Sequence, residues 1–254
     1  MTGAAALERW FPLRDARRSA AALRLFVFPY AGGRASAFRT WGGGLPEAVE
    51  VLALQPPGRE QRLAERPLES VPEAVEAFLP AVLPLCDRPF AFFGHSLGGL
   101  LAYELTRALR ARGAPLPVHF FASGSRAPHA PLPERPVHVL SGQAFLDRLQ
   151  ALGGTPQAVL DCRELMELFT PMLLADFRMS ETYRAEHPEP LPMPLSILGG
   201  TEDAEVRPER LAAWAEVAGA GSELLWFPGG HFFLHAEERG VLDAVARALA
   251  PHAR

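Results

Sequence analysis

The chain of 254 residues is 48% hydrophobic and 21% charged, a composition that excludes a disordered chain and fits one α/β domain with an insertion. A formal net charge of −4 supplies no polycationic surface for nucleic acid or anionic lipid. The basic residues are all arginine, with no lysine, which reads as the codon bias of a G+C-rich genome and gives no guide to function.

At the N-terminus, Glu8, Arg9, Arg14, Asp15, Arg17 and Arg18 break up any signal-peptide core, and no apolar run approaches the ~20 residues that a membrane span needs. Cys86 and Cys162 lie far apart and form no zinc-type spacing. A reduced, cytoplasmic, soluble monomer is the expectation.

The first strand is the continuous apolar run 25–28, stopped by Pro29 and of the kind buried on both faces of a parallel sheet. It delivers the chain to Tyr30-Ala31-Gly32-Gly33, where two glycines let backbone approach a ligand closely. A second strand at 50–54 leads into Gln55-Pro56-Pro57-Gly58-Arg59-Glu60-Gln61-Arg62, a turn whose Arg59 and Arg62 could meet an anionic ligand but are expected rather to pair with nearby carboxylates at a solvated loop. Ser70 and Glu73 have the form of a capping box and open a helix toward Leu83 that Pro80 should kink or end early.

Residues 90–99 then read Phe-Ala-Phe-Phe-Gly-His-Ser-Leu-Gly-Gly, a strand, a sharp G-x-S-x-G turn and the opening of a helix that runs to about Arg112. Such a turn holds its serine strained and exposed, and Gly94 and Gly98 leave room for the bend. Ser96 is the expected nucleophile. The N–H groups of Leu97 and Ala31 are the expected donors to an oxyanion formed over it.

A strand at 119–123 follows, and there the alternation of strand and helix stops. Residues 126–194 hold many prolines, no convincing strand and helical patterns near 142–152 and 161–183, which reads as a helical lid inserted into a core of residues 1–125 and 195–254. Phe145, Met172, Phe177 and Met179 are its candidate substrate contacts, on an apolar face that also carries Leu149 and Leu173. The alternation resumes with a strand at 195–198, a loop bearing Asp203, a helix at 208–217, a last strand at 224–227, a loop bearing His231 and a closing helix at 241–249.

A serine hydroxyl needs a base to take its proton, and the base needs an acid to fix its tautomer. Ser96, Asp203 and His231 each follow a strand end, in the chain order expected of an α/β-hydrolase. Each has rivals. His95 should leave the turn in another direction and serve a structural or pocket-lining role. His235, four residues after His231, invites a metal reading, but no glutamate stands beside the first histidine and no third ligand is placed, so no metal is expected. Asp176 rivals Asp203 as the acid, and Asp203 is preferred because a lid helix is a poor place for a fixed orienting group.

Beyond these residues, the chain resembles the stand-alone type II thioesterases that accompany modular polyketide synthases and nonribosomal peptide synthetases. Phe28-Pro29-Tyr30-Ala31-Gly32-Gly33 resembles the family's oxyanion loop, Pro57-Gly58-Arg59-Glu60 its P-G-R-E turn, and Gly94 to Gly99 its serine elbow, where G-H-S-M-G-A is commoner. Ala175-Asp176-Phe177 with Glu181 and Tyr183 resembles its lid signature, and residues 199–203 and 227–233 its acid and histidine loops. The departures are Leu97 for Met, Gly99 for Ala and Pro56 before the P-G-R-E turn. The resemblance implies an α/β-hydrolase fold and hydrolysis of acyl thioesters carried on the phosphopantetheine arm of acyl or peptidyl carrier proteins, clearing stalled or wrong groups. It implies no cofactor of the enzyme's own and a transient, acidic carrier partner, with Arg59, Arg126 and Arg178 as candidates to steer it. The competing readings are a medium-chain fatty acyl or product-releasing thioesterase and, from another class, a hydrolase-fold binding protein without turnover, against which the presence of all three triad residue types argues.

Overall fold

The apolar runs that mark the strands pair in a single parallel sheet. In the computed structural model, which describes residues 3–253, the strands are β1 (Leu23–Phe28), β2 (Val49–Ala53), β3 (Phe90–His95), β4 (His119–Ser123), β5 (Leu195–Gly200) and β6 (Ser222–Phe227), in the order β2-β1-β3-β4-β5-β6. Met1, Thr2 and Arg254, the ends of the expected core segments, lie outside the described residues. The helices are α1 (Gly3–Trp10), α2 (Trp41–Gly44), α3 (Val71–Val82), α4 (Leu97–Ala111), α5 (Gly142–Leu152), α6 (Gln157–Leu160), α7 (Arg163–Thr182), α8 (Pro208–Ala212), α9 (Phe233–Ala236) and α10 (Glu238–Leu249).

Side chains alternate across a strand, so a strand covered on both faces must be apolar throughout. On β3, Phe90 and Phe92 join the core under α3 and α4, whereas Ala91 and Phe93 join the opposite core under α10. β6 departs from this pattern. As the edge strand it leaves Leu224 and Trp226 about 40% exposed, at 40% and 43%.

The chain steps from β1 outward to β2 and then returns to the other side of β1 with β3. Strand order therefore reverses between β1 and β3, and the loops leaving their carboxyl ends part there to form a crevice. Those loops are residues 29–33 and the Ser96 turn.

α3 begins as the sequence suggests, with the Ser70 hydroxyl accepting from Glu73 N–H at 3.3 Å. The helix does not stop at Pro80. The ring costs the Glu76 carbonyl its donor, but α3 ends only two residues later and tightens into a 3-10 turn over Leu83–Leu85, so one lost bond is all that is forfeited. No helix among the described residues is long and apolar enough to cross a membrane.

Arg24 and Glu50, neighbours on β1 and β2, are buried together. Glu50 accepts from Arg24 Nε at 3.0 Å and from Arg14 Nε at 2.5 Å, and Arg24 also reaches Asp87. Glu50→Ala removes the buried carboxylate of this group and leaves Arg24 only the Leu85 carbonyl and the half-exposed Asp87, and we expect a loss of about 3 kcal/mol in denaturant-unfolding stability. A loss below about 1 kcal/mol would show that Asp87 alone suffices.

Candidate active site

From Phe90 to Tyr103 every residue is buried except Ser96. The serine stands at φ 54°, ψ −117°, a conformation that costs a non-glycine residue about 1–3 kcal/mol and thrusts its hydroxyl out of the turn. Its N–H donates to the Ser123 carbonyl at 2.8 Å, tying the turn to β4. A methyl group at Gly94 would strike the Gly98 carbonyl, and one at Gly98 would strike that of Phe28, so the bend requires both glycines. At Gly99 a methyl group would strike the Ser125 hydroxyl. The departure from alanine there is thus matched by the side chain opposite.

Asp203 lies in the loop after β5. Its Oδ1 accepts from the N–H groups of Glu205 and Val206 at 2.8 and 3.1 Å, which leaves Oδ2 to meet His231 Nδ1 at 2.9 Å. Both side chains are nearly buried, at 3% and 10% exposure. A carboxylate there accepts from Nδ1–H, so the lone pair of the imidazole sits on Nε2. Ser96 and His231 line one cavity of about 580 Å³; no hydrogen bond joins them among the described residues. Such contacts tighten when a substrate is held.

His95 is fully buried, with Nδ1 2.9 Å from the Ser123 hydroxyl and its ring against that of His231. Burial, reinforced by the neighbouring His231 and His235, holds its pKa well below the usual histidine value, so it adds no charge beside His231. His235 Nε2 meets the Tyr30 hydroxyl at 2.9 Å.

The loop after β1 is fastened from several sides. Gly33 N–H donates to the Tyr30 carbonyl at 2.8 Å, Gly32 N–H to Asp176 Oδ2 at 2.7 Å, and Arg59 Nη1 to the Gly33 carbonyl at 2.8 Å. Among the described residues neither the Ala31 nor the Leu97 N–H has an acceptor. Asp176 is engaged by this loop and by Arg59, and no hydrogen bond links it to His231 among the described residues.

Several arginines are placed otherwise than the sequence suggests. Arg59 and Arg62 do pair with carboxylates, but in the interior: Arg59 is 4% exposed on Asp176, and Arg62 is 5% exposed on Glu65 with its guanidinium over the Trp10 ring. Arg126 is buried too, donating to the carbonyls of Ala127, Ala130, Ser180 and Tyr183, and burial pushes its pKa down to about 10. Neither Arg59 nor Arg126 presents its charge to a partner protein. Arg178 is exposed and paired with Glu69 at 3.0 Å. The arginines that line the cavity and whose side chains make no hydrogen bond or ion pair among the described residues are Arg135, Arg207 and Arg210, which the sequence did not single out.

Residues 126–194 carry α5, α6 and α7 and contribute no strand beyond a single bridge from Leu191 to Ala218. Of the four candidate contacts in this segment, Phe177 lines the cavity, together with Leu149 and Leu173. Phe145 and Met172 pack within the segment's own core, and Met179 joins the main core under the sheet.

Residues 23–252 match the thioesterase domain family. Gramicidin S biosynthesis protein GrsT of Aneurinibacillus migulanus is 39% identical over 249 residues, covering 98% of this chain and 97% of that protein. Among solved structures, RedJ, the thioesterase from the prodiginine biosynthetic pathway of Streptomyces coelicolor, is 40% identical with a TM-score of 0.85, covering 91% of this chain and 92% of its own. YbtT, a type II thioesterase from the yersiniabactin NRPS/PKS biosynthetic pathway, is 30% identical with a TM-score of 0.84, covering 95% and 98%. The family match spans the sheet and every loop of the crevice, and the similarity to these proteins runs nearly end to end: the chain belongs to the thioesterase family, as a type II thioesterase with the α/β-hydrolase fold.

Proposed function

We propose that the enzyme hydrolyses acyl thioesters held on the phosphopantetheine arm of carrier proteins, clearing stalled or aberrant groups from polyketide synthase or nonribosomal peptide synthetase modules. The observation that carries the chemistry is the Asp203–His231 hydrogen bond, set at the strand ends beside a strained, outward-facing Ser96. In this reading Ser96 Oγ attacks the thioester carbonyl while His231 Nε2 takes its proton. The N–H groups of Ala31 and Leu97 hold the oxyanion. The C–S bond then breaks, the sulfur leaves with the proton from His231, and water repeats the sequence on acyl-Ser96 to release a free acid. Residues 126–194 act as the lid, with Leu149, Leu173 and Phe177 shielding a short to medium acyl chain.

The carrier would be drawn by Arg135, Arg207 and Arg210, cavity-lining cations whose side chains are unpaired among the described residues, the first two exposed and the third partly so. One acyl group should therefore be presented two ways, on a carrier protein and on N-acetylcysteamine, across a range of salt. We expect kcat/KM to favour the carrier by ~10-fold or more at low salt, the preference shrinking as salt screens the arginines and falling in Arg207→Gln/Arg210→Gln. Equal rates at all salt concentrations would leave a hydrolase of small thioesters.

A further inference from the structure

Asp176 sits on α7 yet makes its bonds to the loop after β1, and this is an odd use of a lid carboxylate if α7 only covers the cavity. We infer that Asp176 and Arg59 are positioning residues that set the oxyanion loop, so that the hole is assembled only when α7 is seated. The inference rests on the reading proposed above, in which Ser96 attacks the carbonyl and the Ala31 N–H holds the oxyanion.

Asp176 is 1% exposed, and its two oxygens take three donors: Gly32 N–H at 2.7 Å, Arg59 Nη1 at 2.8 Å and Arg59 Nη2 at 2.9 Å. The same Arg59 Nη1 donates to the Gly33 carbonyl, and Arg59 Nε donates to that of Pro57. Gln55 extends the fastening, accepting from Ala35 N–H at 2.8 Å and donating to the Arg59 carbonyl at 3.2 Å. Ala31 thus lies between fixed points. Behind it, the Tyr30 hydroxyl is held by His235; ahead of it, Gly32 N–H and the Gly33 carbonyl are held by the ion pair. With one bond inside the turn, from Gly33 N–H to the Tyr30 carbonyl, the direction of the Ala31 N–H is set by these anchors.

The helix itself presses on the loop. Gly32 adopts φ +75°, and a methyl group there would meet Leu173 at 2.7 Å, three residues before Asp176 and on the same face of α7. Leu173 and Phe177, on either side of the carboxylate in sequence, line the cavity. A displacement of α7 that opens the cavity therefore pulls Asp176 away from Gly32 N–H and loosens Ala31. A buried ion pair is seldom the most stabilising filling for its volume. Fixing a backbone donor within hydrogen-bond tolerance is something an apolar pair could not do.

The test is Asp176→Asn, which keeps the shape of the side chain and removes its charge, with Arg59→Lys as the second variant, which keeps a charge and loses the fork that spans Asp176 and Gly33. Two ligands are compared: a trifluoromethyl ketone analogue of the acyl thioester, which adds to Ser96 and forms an oxyanion, and the unreactive thioether. In each folded variant we expect kcat to fall ~10- to 100-fold with KM changed less than ~3-fold, and ketone affinity to fall with kcat while thioether affinity holds. A kcat within about twofold of the parent, or equal losses for ketone and thioether, would overturn the inference. Failure of the underlying reading is separable, because it would show as a parent enzyme whose Ser96 is not modified by the ketone at all.

Discussion

Ser96→Ala is expected to lower turnover of a carrier-bound acyl thioester by ~10³-fold or more while leaving the protein folded. The loss follows from the chemistry, since without the Ser96 hydroxyl no acyl group can form on the residue that faces His231. The fold survives because alanine meets the same strain at φ 54° as serine does, and among the described residues the Ser96 side chain makes no hydrogen bond that the fold would lose. His231→Ala should be comparably severe. Serine and histidine act as one unit, so the double variant should be little worse than either single. Additive losses would mean that His231 is not the base for Ser96, and near-normal turnover in Ser96→Ala would end the serine-hydrolase account.

Asp203→Asn is the second large effect, with an expected fall of ~10²- to 10⁴-fold in kcat. The geometry explains why an isosteric change should matter so much. Two backbone N–H groups claim Oδ1 of Asp203, so the amide oxygen of the variant takes that place and its NH2 faces His231 Nδ1. The imidazole must then accept at Nδ1 and carry its proton on Nε2, the tautomer that cannot deprotonate Ser96. Asp176→Asn should cost less in kcat than Asp203→Asn, because it disturbs an oxyanion donor at second hand and leaves the histidine tautomer alone. A reversed order in steady-state kinetics of the two variants would contradict the assignment of Asp203 as the acid that fixes the His231 tautomer.

What the sequence disclosed and what it hid divide by the range of the interaction. The serine elbow was legible because its constraint is local: a strand, a bend that excludes side chains at Gly94 and Gly98, and a helix. The parallel sheet was legible because strands covered on both faces must be apolar throughout, as 90–93 are. Asp203 and His231 could be nominated because each follows a strand end. The arginines were another matter, since the sequence states a charge and not the carbonyls or carboxylates that fold around it. Arg59 meets Asp176 across 117 residues of chain, and Arg126 is enclosed by carbonyls from two stretches of the 126–194 segment. Periodicity likewise marked an apolar face on that segment without dividing it between the cavity, where Phe177 lies, and the packing of Phe145, Met172 and Met179. Glycine in place of the usual alanine at 99 was visible as a departure, but the neighbour that it accommodates, the hydroxyl of Ser125, was not.

The claim on which the rest depends is that acyl groups pass through Ser96. Incubating the intact enzyme with a serine-directed alkyl phosphonate and mapping the adduct by peptide mass spectrometry tests it most directly. One adduct is expected, on Ser96, formed in step with the loss of thioesterase activity and formed far more slowly in His231→Ala. Activity lost with the adduct on another residue such as Ser125, or retained with Ser96 fully modified, would contradict it.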